Sequence, residues 1–364
     1  MPRVTICSSV WELEKLRSRW ESICNESCYT IFQDFDWNLL AARTFQDREP
    51  LFVVCAETSY GLAIVPAVRH RADGTLRLIG EELFDYRTFL FCGDNRDSLL
   101  RIALSVLAQT QQCLEIVAVR EPERVAFMEF EPFCRREGGE ADREPAGEIL
   151  SGSEGTCRRL SAASTLRGSQ DPAKKLLTLF PFTDAPLVDH TEISAEQFSA
   201  AHNRLGRNIR RFQKLGFELK SYDGSHSELL RNIYAKKAAQ STASLFHDAA
   251  RVEFIIQAAR REQQRCEVFV LECRSHLAAA LVTFRDGDVR RFYTGLFDRE
   301  YEKLSPAMSL IYETTRQSLA AGLSCDYMTG AQPYKLRLAT GSVPLYRLQA
   351  TPDQLAALAE QIAA

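Results

Sequence analysis

Apolar and polar positions follow the same order in the two halves of the chain. In the first half, the apolar segments "LFVVCAE" and "LAIVPAV", an Asp-Gly turn and "LRLIG" lead through a loop to the helical pattern "RDSLLRIALSVLAQTQQ" and to "CLEIVAV". In the second half, "CEVFVLEC", "LAAALVTF", another Asp-Gly turn and "VRRFYTGL" lead through a loop to the helical pattern "AMSLIYETTRQSLAAG" and to "LSCDYMTG". Short apolar runs bounded by turn residues predict strands, and apolar positions three and four apart predict helices.

This internal repeat predicts the domain organisation. Each half also begins with helical material, "VWELEKLRSRWESIC" in the first and "SAEQFSAAHNRLGRNIRRFQKLG" in the second. We expect an α/β (α+β) protein of two similar modules, residues 1–180 and 181–364, each a mostly antiparallel mixed sheet flanked by helices. A ligand cleft is available between them. A coincidence of common hairpins is the less favoured alternative, because loop, helix and strand all recur in step.

Two further segments lie outside this repeat. Residues 136–175 are rich in Gly, Ser, Ala and charge, which indicates a mobile connection or a peripheral excursion rather than core. The segment "TPDQLAALAEQIAA" predicts a short helix with Thr351 or Asp353 as its cap.

Charge and apolar run length exclude several classes of protein. The formal net charge is −3, so the chain lacks the overall basic character typical of nucleic-acid-binding proteins. No apolar run approaches the roughly 20 residues of a membrane-spanning helix, and the first residues resemble neither a secretion signal nor a transit peptide. We therefore expect a cytoplasmic protein without a membrane span.

Cysteine, histidine and the common catalytic motifs add further exclusions. The 11 cysteines are odd in number and scattered, so we expect most of them to be small core residues. The six histidines stand singly and no four-ligand set is evident, so we expect no metal. The chain lacks the Walker, G-x-S-x-G, H-E-x-x-H and G-x-G-x-x-G motifs, which leaves nucleotide hydrolysis, serine hydrolase, metalloprotease and dinucleotide functions without support.

The loop before the long second-half helix is a candidate anion site. It carries Lys303 and Ser305 and runs through Pro306 directly into the helical pattern. The first amides of a helix are unpaired and can hold a phosphate. Ser followed by Pro is also an ordinary helix start that needs no ligand.

Five segments carry a resemblance to a known family: "FQDFDW", "IGEELFDY", "RLGRNIRRFQKLGFEL", "FYTGLFDREYEKLSPAMSL" and "DYMTGAQPYK". The second module resembles a GNAT-type acyltransferase domain. The whole chain is similar to the cellulose-biosynthesis-type acetyltransferases, which share a tandem GNAT architecture with the Fem peptidoglycan aminoacyltransferases. Two positions depart from the family: Ala307 stands where a glycine is usual, and no acidic residue precedes the "YK" pair.

The resemblance implies a donor site for acetyl-CoA or another acyl-CoA. The donor would lie along Phe292, Tyr293 and Thr294, and its pyrophosphate would lie on the segment Lys303, Leu304, Ser305, Pro306, Ala307 and Met308. Acyl transfer also requires proton transfer. Tyr334, beside Lys335, would protonate the departing thiolate, and Asp298 or Asp326 would orient or deprotonate the amine. The alternatives are a tyrosine that covers the core and aspartates that cap turns.

Acceptor contacts are expected from both modules. Arg207, Arg210 and Arg211, with Lys214, are spaced so that most share one helical face. That face could bind a phosphate of coenzyme A, a nucleotide-linked sugar or the acceptor end of a transfer RNA, or it could simply be solvated. From the first module, Asp85 and Tyr86 would bind the acceptor or brace the cleft, and we group Trp37 with these substrate contacts.

Three functions stay open at this stage. The favoured one is an acyl-CoA-dependent N-acyltransferase that acts on an amine of a small metabolite or sugar. The second is a Fem-like enzyme that uses aminoacyl-transfer RNA as donor. The third is a non-catalytic tandem module, for which Ala307 and the missing acidic residue are the signs. A homodimer also stays open.

Overall fold

A computed structural model of the chain describes residues 2–26, 29–94, 96–120, 178–274 and 276–361. The predicted connection 136–175 lies outside the described residues. The helices are α1 (Val10–Glu14), α2 (Arg17–Glu26), α3 (Phe35–Phe45), α4 (Arg96–Gln109), α5 (Ala195–Ala201), α6 (Asn203–Lys214), α7 (Ser227–Ala239), α8 (Ala249–Arg261), α9 (Pro306–Ala320), α10 (Pro333–Leu338) and α11 (Pro352–Gln361).

The strands of the described residues are β1 (Arg3–Cys7), β2 (Val53–Thr58), β3 (Gly61–Val65), β4 (Ala67–Arg69), β5 (Leu76–Leu78), β6 (Leu90–Gly93), β7 (Leu114–Val119), β8 (Thr178–Val188), β9 (Glu218–Asp223), β10 (Cys266–Cys273), β11 (His276–Asp286), β12 (Val289–Phe297), β13 (Ser324–Asp326) and β14 (Gly341–Ala350). They form a sheet of order β1-β2-β3-β6 and a larger sheet of order β4-β5-β7-β14-β8-β13-β12-β11-β10-β9. Most neighbours are antiparallel, and β5–β7 and β12–β13 are parallel. The predicted α/β class with mostly antiparallel sheets is confirmed.

The two predicted Asp-Gly turns both lie in β-hairpin connections, and the second is the tighter of the two. The first joins β4 to β5 and the second joins β11 to β12. Gly74 and Gly287 adopt φ values of 72° and 62°, which glycine reaches without the clash that a Cβ atom would cause. These hairpins place the strand that precedes each long loop, β5 in the first half and β12 in the second.

The strand β14 and the helix α11 complete the core of the first half. β14 lies between β7 and β8 in the larger sheet. Leu355 and Leu358 of α11 are buried in one apolar cluster with Leu104 and Leu107 of α4. Each such buried leucine contributes about 2 kcal/mol of transfer free energy. The predicted cap is confirmed for Thr351, whose hydroxyl accepts a hydrogen bond from the Gln354 amide at 3.3 Å.

Aromatic side chains join the two halves. The ring of Trp37 packs edge-on against Phe254 and Phe284, with centroids 5.8 and 5.0 Å apart. Tyr293 of β12 reaches the first half, where its hydroxyl donates to the Leu83 carbonyl at 3.0 Å. A buried aromatic interface of this kind holds β12 at a fixed position against the first half. Among the described residues, no helix combines the length and the apolarity that crossing a membrane requires.

Candidate active site

A groove opens where β12 and β13 separate. The two strands pair in parallel only from Val289 to Arg291 on β12 and from Ser324 to Asp326 on β13. Within the described residues, the rest of β12 has no strand on that side. On its other side, β12 carries a bulge at Tyr293, because Thr294 pairs with Val282 while Phe292 pairs with Thr283. A bulge redirects the backbone groups of the strand that carries it. Beyond the bulge, the Gly295 carbonyl accepts a hydrogen bond from Lys237 at 2.7 Å and the Phe297 carbonyl accepts one from Gln240.

The groove is open beside Gly295 and closed beside Phe292. A Cβ atom built on Gly295 meets no heavy atom within 4 Å. Phe292 instead packs against Tyr327, with ring centroids 5.1 Å apart, and the Tyr327 hydroxyl lies 3.0 Å from Thr315 Oγ1. The free edge therefore has a packed inner end and an open outer end that leads toward α9.

The start of α9 leaves its first amides available. Ser305 adopts a left-handed conformation, φ 51° and ψ 60°, and its side chain makes no capping hydrogen bond. Pro306 follows at the first helical position and has no N–H. The next amides, those of Ala307 and Met308, have no acceptor within the helix, so they point out of its positive end. The predicted phosphate contacts 303–308 thus surround an uncapped helix terminus.

The basic helix α6 packs beside this terminus. The side-chain amide of Asn208 donates to the Leu304 carbonyl at 3.0 Å. Arg207, Arg210 and Arg211 are exposed on the outer side of α6, and none of them takes part in an ion pair with any residue that the structure describes. Lys303 is exposed on the loop itself. Positively charged side chains without an ion-pair partner in the described residues therefore lie next to the N-terminus of α9.

Asp298 and its neighbours shape the beginning of the same loop. The Asp298 carboxylate accepts the Glu300 amide at 3.0 Å and so caps a 3-10 turn over Arg299–Leu304. His276 Nε2 lies 3.4 Å from its other oxygen. His276, Asp298 and Glu300 are, within the described part of the chain, the residues whose ligand atoms could share one cation. The predicted absence of a metal stays a prediction.

Asp326 lies in a buried polar network between the two halves. Its Oδ1 accepts from the Tyr86 hydroxyl at 2.6 Å and from the Met328 amide at 2.8 Å. Its Oδ2 accepts from Arg291, which also donates to Asp286 at 2.9 Å. The pKa of Tyr86 is raised well above its usual value, mainly by burial and secondly by the negative charge of Asp326. This phenol therefore stays a neutral hydrogen-bond donor. The carboxylate thus has three donors around it, and its catalytic role stays a prediction.

Tyr334 and Lys335 lie on the short helix α10. Tyr334 is 39% exposed, and partial burial raises the pKa of its phenol. Lys335 donates to the carbonyls of Thr329 and Met328 at 2.8 and 3.3 Å. Desolvation lowers the pKa of Lys335 to about 8, against the opposing effect of the Asp85 and Asp326 carboxylates. A lysine with a pKa this close to neutrality can exchange a proton under ordinary conditions.

The three first-half candidates occupy different environments. Trp37 is 1% exposed, within the aromatic interface. Tyr86 points into the Asp326 network, whereas Asp85 lines a cavity of about 420 Å³ between the halves. The Thr329 amide donates to Asp85 Oδ2 at 3.4 Å, so the cavity wall adjoins the loop that Lys335 holds. The structure brings Asp85, Tyr86, Asp326 and Lys335 together. No hydrogen bond or ion pair among the described residues joins them to Asp298.

A family match covers this region. Residues 199–336 match the acetyltransferase (GNAT) domain family, and these residues include α6, β12, the loop before α9 and the first part of α10. The chain has a GNAT fold. The match covers the second half only.

Several solved structures are similar to this protein over the whole chain. One is the C-terminal domain of a protein assigned as a lysylphosphatidylglycerol synthetase from Agrobacterium fabrum. It is 12% identical and covers 98% of this chain and 96% of that one, with a TM-score of 0.53. FemX is 9% identical over 92% and 96% of the two chains, with a TM-score of 0.52. L-PGS from Bacillus licheniformis is 9% identical over 95% and 97%, with a TM-score of 0.50. At these identities the likeness shows the fold alone. No curated protein matches the sequence.

Sequence reasoning missed several residues of this candidate site. Arg291 is 5% exposed and joins Asp286 to Asp326, and Asn208 fixes the loop before α9. The signal for Arg291 was present, because an arginine inside the apolar strand "VRRFYTGL" needs a buried partner. Arg87, which lines the cavity beside Asp85, gave no signal that distinguishes it from a surface arginine.

Proposed function

We propose that the protein is an acyl-CoA-dependent N-acyltransferase that transfers an acyl group from a thioester to an amine of a small metabolite or sugar. The observation that carries this proposal is the edge of β12 beyond the bulge at Tyr293, which no strand of the described residues covers, together with the uncapped start of α9. An extended pantetheine arm can pair with such an edge as an additional strand does. The diphosphate would then lie on the amides of Ala307 and Met308.

The chemistry follows from this placement. The amine nitrogen attacks the thioester carbonyl, a backbone N–H of β12 near the bulge stabilises the oxyanion, and the C–S bond breaks as the C–N bond forms. The departing thiolate takes a proton from Tyr334. The amine gives up its proton to a nearby base, for which we propose Lys335 in its neutral form beside the earlier candidates Asp298 and Asp326.

The proposal also covers the family, the cellular location and the domain division of the protein. We propose that it is similar to the cellulose-biosynthesis-type acetyltransferases within the GNAT superfamily and that it acts in the cytoplasm. We also retain the two modules 1–180 and 181–364. Because β14 and α11 pack in the first half, the second module would contribute its last strand and helix to its neighbour.

A second candidate function is aminoacyl transfer from aminoacyl-transfer RNA. The exposed arginines of α6 favour it, since Arg207, Arg210 and Arg211 beside the donor loop could bind the phosphates of an RNA acceptor end. FemX and L-PGS share the fold with this chain. The two donors differ in how much of the protein they would cover, which makes them separable by experiment.

Isothermal titration calorimetry of the whole chain with acetyl-CoA tests the proposal. We expect saturable binding of one acetyl-CoA per chain. The matched variant is Gly295→Val, which adds a side chain at the open outer end of the groove, where a Cβ atom meets no heavy atom within 4 Å. It should abolish binding while the folded spectrum is kept. Absence of binding to any coenzyme A thioester, together with binding of aminoacyl-transfer RNA, would replace this function with the second one.

A further inference from the structure

The cavity between the two halves carries a balanced set of charges. It has a volume of about 420 Å³, and its wall holds four carboxylates and four guanidinium groups, drawn from both halves of the chain. Phe84 and Phe182 supply apolar surface. A wall with this composition suits a small ligand that carries both signs of charge, because any wall charge without an ion-pair partner would be desolvated uncompensated by a neutral ligand.

Most of the arginines in this wall are already paired. Arg77 lies 3.6 Å from Glu115, Arg347 lies 3.9 Å from the same carboxylate, and Arg251 lies 3.2 Å from Glu82. These contacts are partly exposed and neutralise the rim of the cavity. They leave little attraction for an additional anion.

Arg87 differs from the other three arginines. It is 5% exposed, and none of the ion pairs among the described residues includes it. Its Nε donates to the Phe84 carbonyl at 3.2 Å and its Nη1 to the Leu78 carbonyl at 3.5 Å. A guanidinium group has five N–H donors and does not lose its charge, so Arg87 keeps donors for a further acceptor. Burial lowers the pKa of Arg87, and the buried Glu49 carboxylate in the same wall acts against that effect.

Asp85 is the corresponding acidic group. It takes part in no ion pair within the described residues, and the Thr329 amide is a weak donor to its Oδ2 at 3.4 Å. Asp85 and Arg87 stand two residues apart on one loop and both line the cavity. The carbonyl of Thr329 accepts from Lys335, so the Asp85 end of the cavity is the end nearest to the proposed proton-transfer residues.

We propose that the cavity binds the acyl acceptor and that this acceptor is an amine with an anionic group, a carboxylate or a phosphate. Arg87 holds the anionic group, and Asp85 holds the ammonium group on the side of the donor groove. This inference rests on the proposed acyltransferase function. It narrows the acceptor class, since amino sugars without an acidic group and simple diamines lack the group that Arg87 requires.

Binding experiments on the whole chain, without any acyl donor, test the inference. The probes are two matched pairs: cadaverine with lysine, and glucosamine with glucosamine 6-phosphate. In each pair the anionic member should bind about tenfold or more tightly, since hydrogen bonds to a charged group are worth more than neutral ones. Equal affinity within both pairs would overturn the inference.

Variants locate the effect. Arg87→Gln should remove the difference within each pair, and Asp85→Asn should weaken both members of a pair. Arg260→Gln, an exposed arginine near the end of α8, should leave both affinities unchanged. If Arg87→Gln does not fold, Arg87→Lys keeps the positive charge and should retain part of the preference for the anionic amines. The comparison within the matched pairs on the unaltered protein tests the inference without any variant.

Two further titrations separate the possible failures. Coenzyme A binding with no preference for the anionic amines rejects the acceptor class and leaves the acyltransferase function standing. Preferential binding of the anionic amines without coenzyme A binding supports the acceptor class and rejects the acyltransferase function. Inorganic phosphate that binds as tightly as glucosamine 6-phosphate would show an anion site without an amine site, which would also overturn the inference.

Discussion

The loops after β5 and after β12 occupy corresponding places in the two halves, but the first buries most of its side chains and the second exposes most of its own. Each follows the second strand of an Asp-Gly hairpin and begins with a 3-10 turn, over Glu81–Leu83 in the first half and Arg299–Leu304 in the second. The first loop sends Phe84 and Tyr86 into the core. The second keeps Lys303 in solvent and leads into an uncapped helix.

The two loops would recognise a ligand in different ways, the first through its side chains and the second through backbone amides. A helix terminus offers its amides whatever the side chains are, so Ala307 in place of the usual glycine is compatible with an anion site there. The first loop depends on particular residues, because Tyr86 reaches Asp326 and Arg87 lies buried in the cavity wall. We therefore expect substitutions in the first loop to be more damaging than substitutions in the second.

The largest effect is expected from breaking the contact between the first loop and β13. Asp326→Ala leaves Arg291 buried with one of its two carboxylates missing, and removal of one partner of a buried ion pair costs about 3–5 kcal/mol of unfolding free energy. Asp298→Ala is the matched control, because a lost turn cap costs about 1 kcal/mol. Urea unfolding monitored by circular dichroism measures both, and equal costs would contradict the distinction between the loops.

A pH titration of stability sharpens the same comparison at Lys335, which lies near Asp85. Its pKa is about 8 in the folded chain and 10.5 for an ordinary lysine. Between these values the unfolded chain binds more protons than the folded one, so Lys335 makes the unfolding free energy rise with pH. The rise should approach about 3 kcal/mol, since one pKa unit corresponds to about 1.4 kcal/mol.

Lys335→Met provides the reference for this titration. The variant should lack the rise between about pH 8 and pH 10.5, because the titrating group is gone. Denaturant unfolding at several pH values, taken as the difference between the two proteins, removes the contribution of other titrating groups. Parallel curves for the two proteins would show that Lys335 is not desolvated.

Tyr334→Phe tests the donor side without disturbing either loop. Under the proposed mechanism, loss of the phenolic proton should lower kcat by about 100-fold, the lower end of the range for general acid catalysis. Coenzyme A affinity should not change. Tyr60→Phe, an exposed tyrosine on the β2–β3 turn, is the control. An unchanged kcat for Tyr334→Phe would remove this residue from the mechanism.

The smallest effect is expected at Lys303 in the second loop. Lys303→Ala should weaken coenzyme A binding by about threefold to fivefold, since an exposed charge contributes up to about 1 kcal/mol. The difference should shrink at high salt, where exposed charges are screened. Calorimetry at two ionic strengths measures it, with Lys15→Ala as a distant control. A larger, salt-independent loss would mean that the second loop also recognises its ligand through buried side chains.

Local patterns sufficed for the elements but not for their assembly. The hairpin β11–β12, the helix α9 and the Thr351 cap follow from periodicity and turn chemistry within short segments. The insertion of β14 between β7 and β8 depends on pairing between residues more than 200 positions apart, such as Tyr346 with Val119. No local pattern encodes such a partner.

The candidate site divides in the same way. The loop before α9 was predictable because a helix start has its own chemistry, with Ser305 and Pro306 at fixed positions. The contacts of Asp326 were not, because its donors Tyr86 and Arg291 come from different halves of the chain. The role of Trp37 shows the same limit, since an aromatic residue in a short motif can serve either a ligand or an interface, and this one is enclosed by Phe254 and Phe284.

The position of β14 has a consequence for biosynthesis. The sheet edge at β7 is completed only when residues 341–350 have been made, and α4 gains its cover only with α11. During translation, the sheet of the first half therefore stays incomplete until the whole GNAT domain has been synthesised. The two halves should consequently gain and lose their structure in a single cooperative step, as one folding unit rather than as two independent ones.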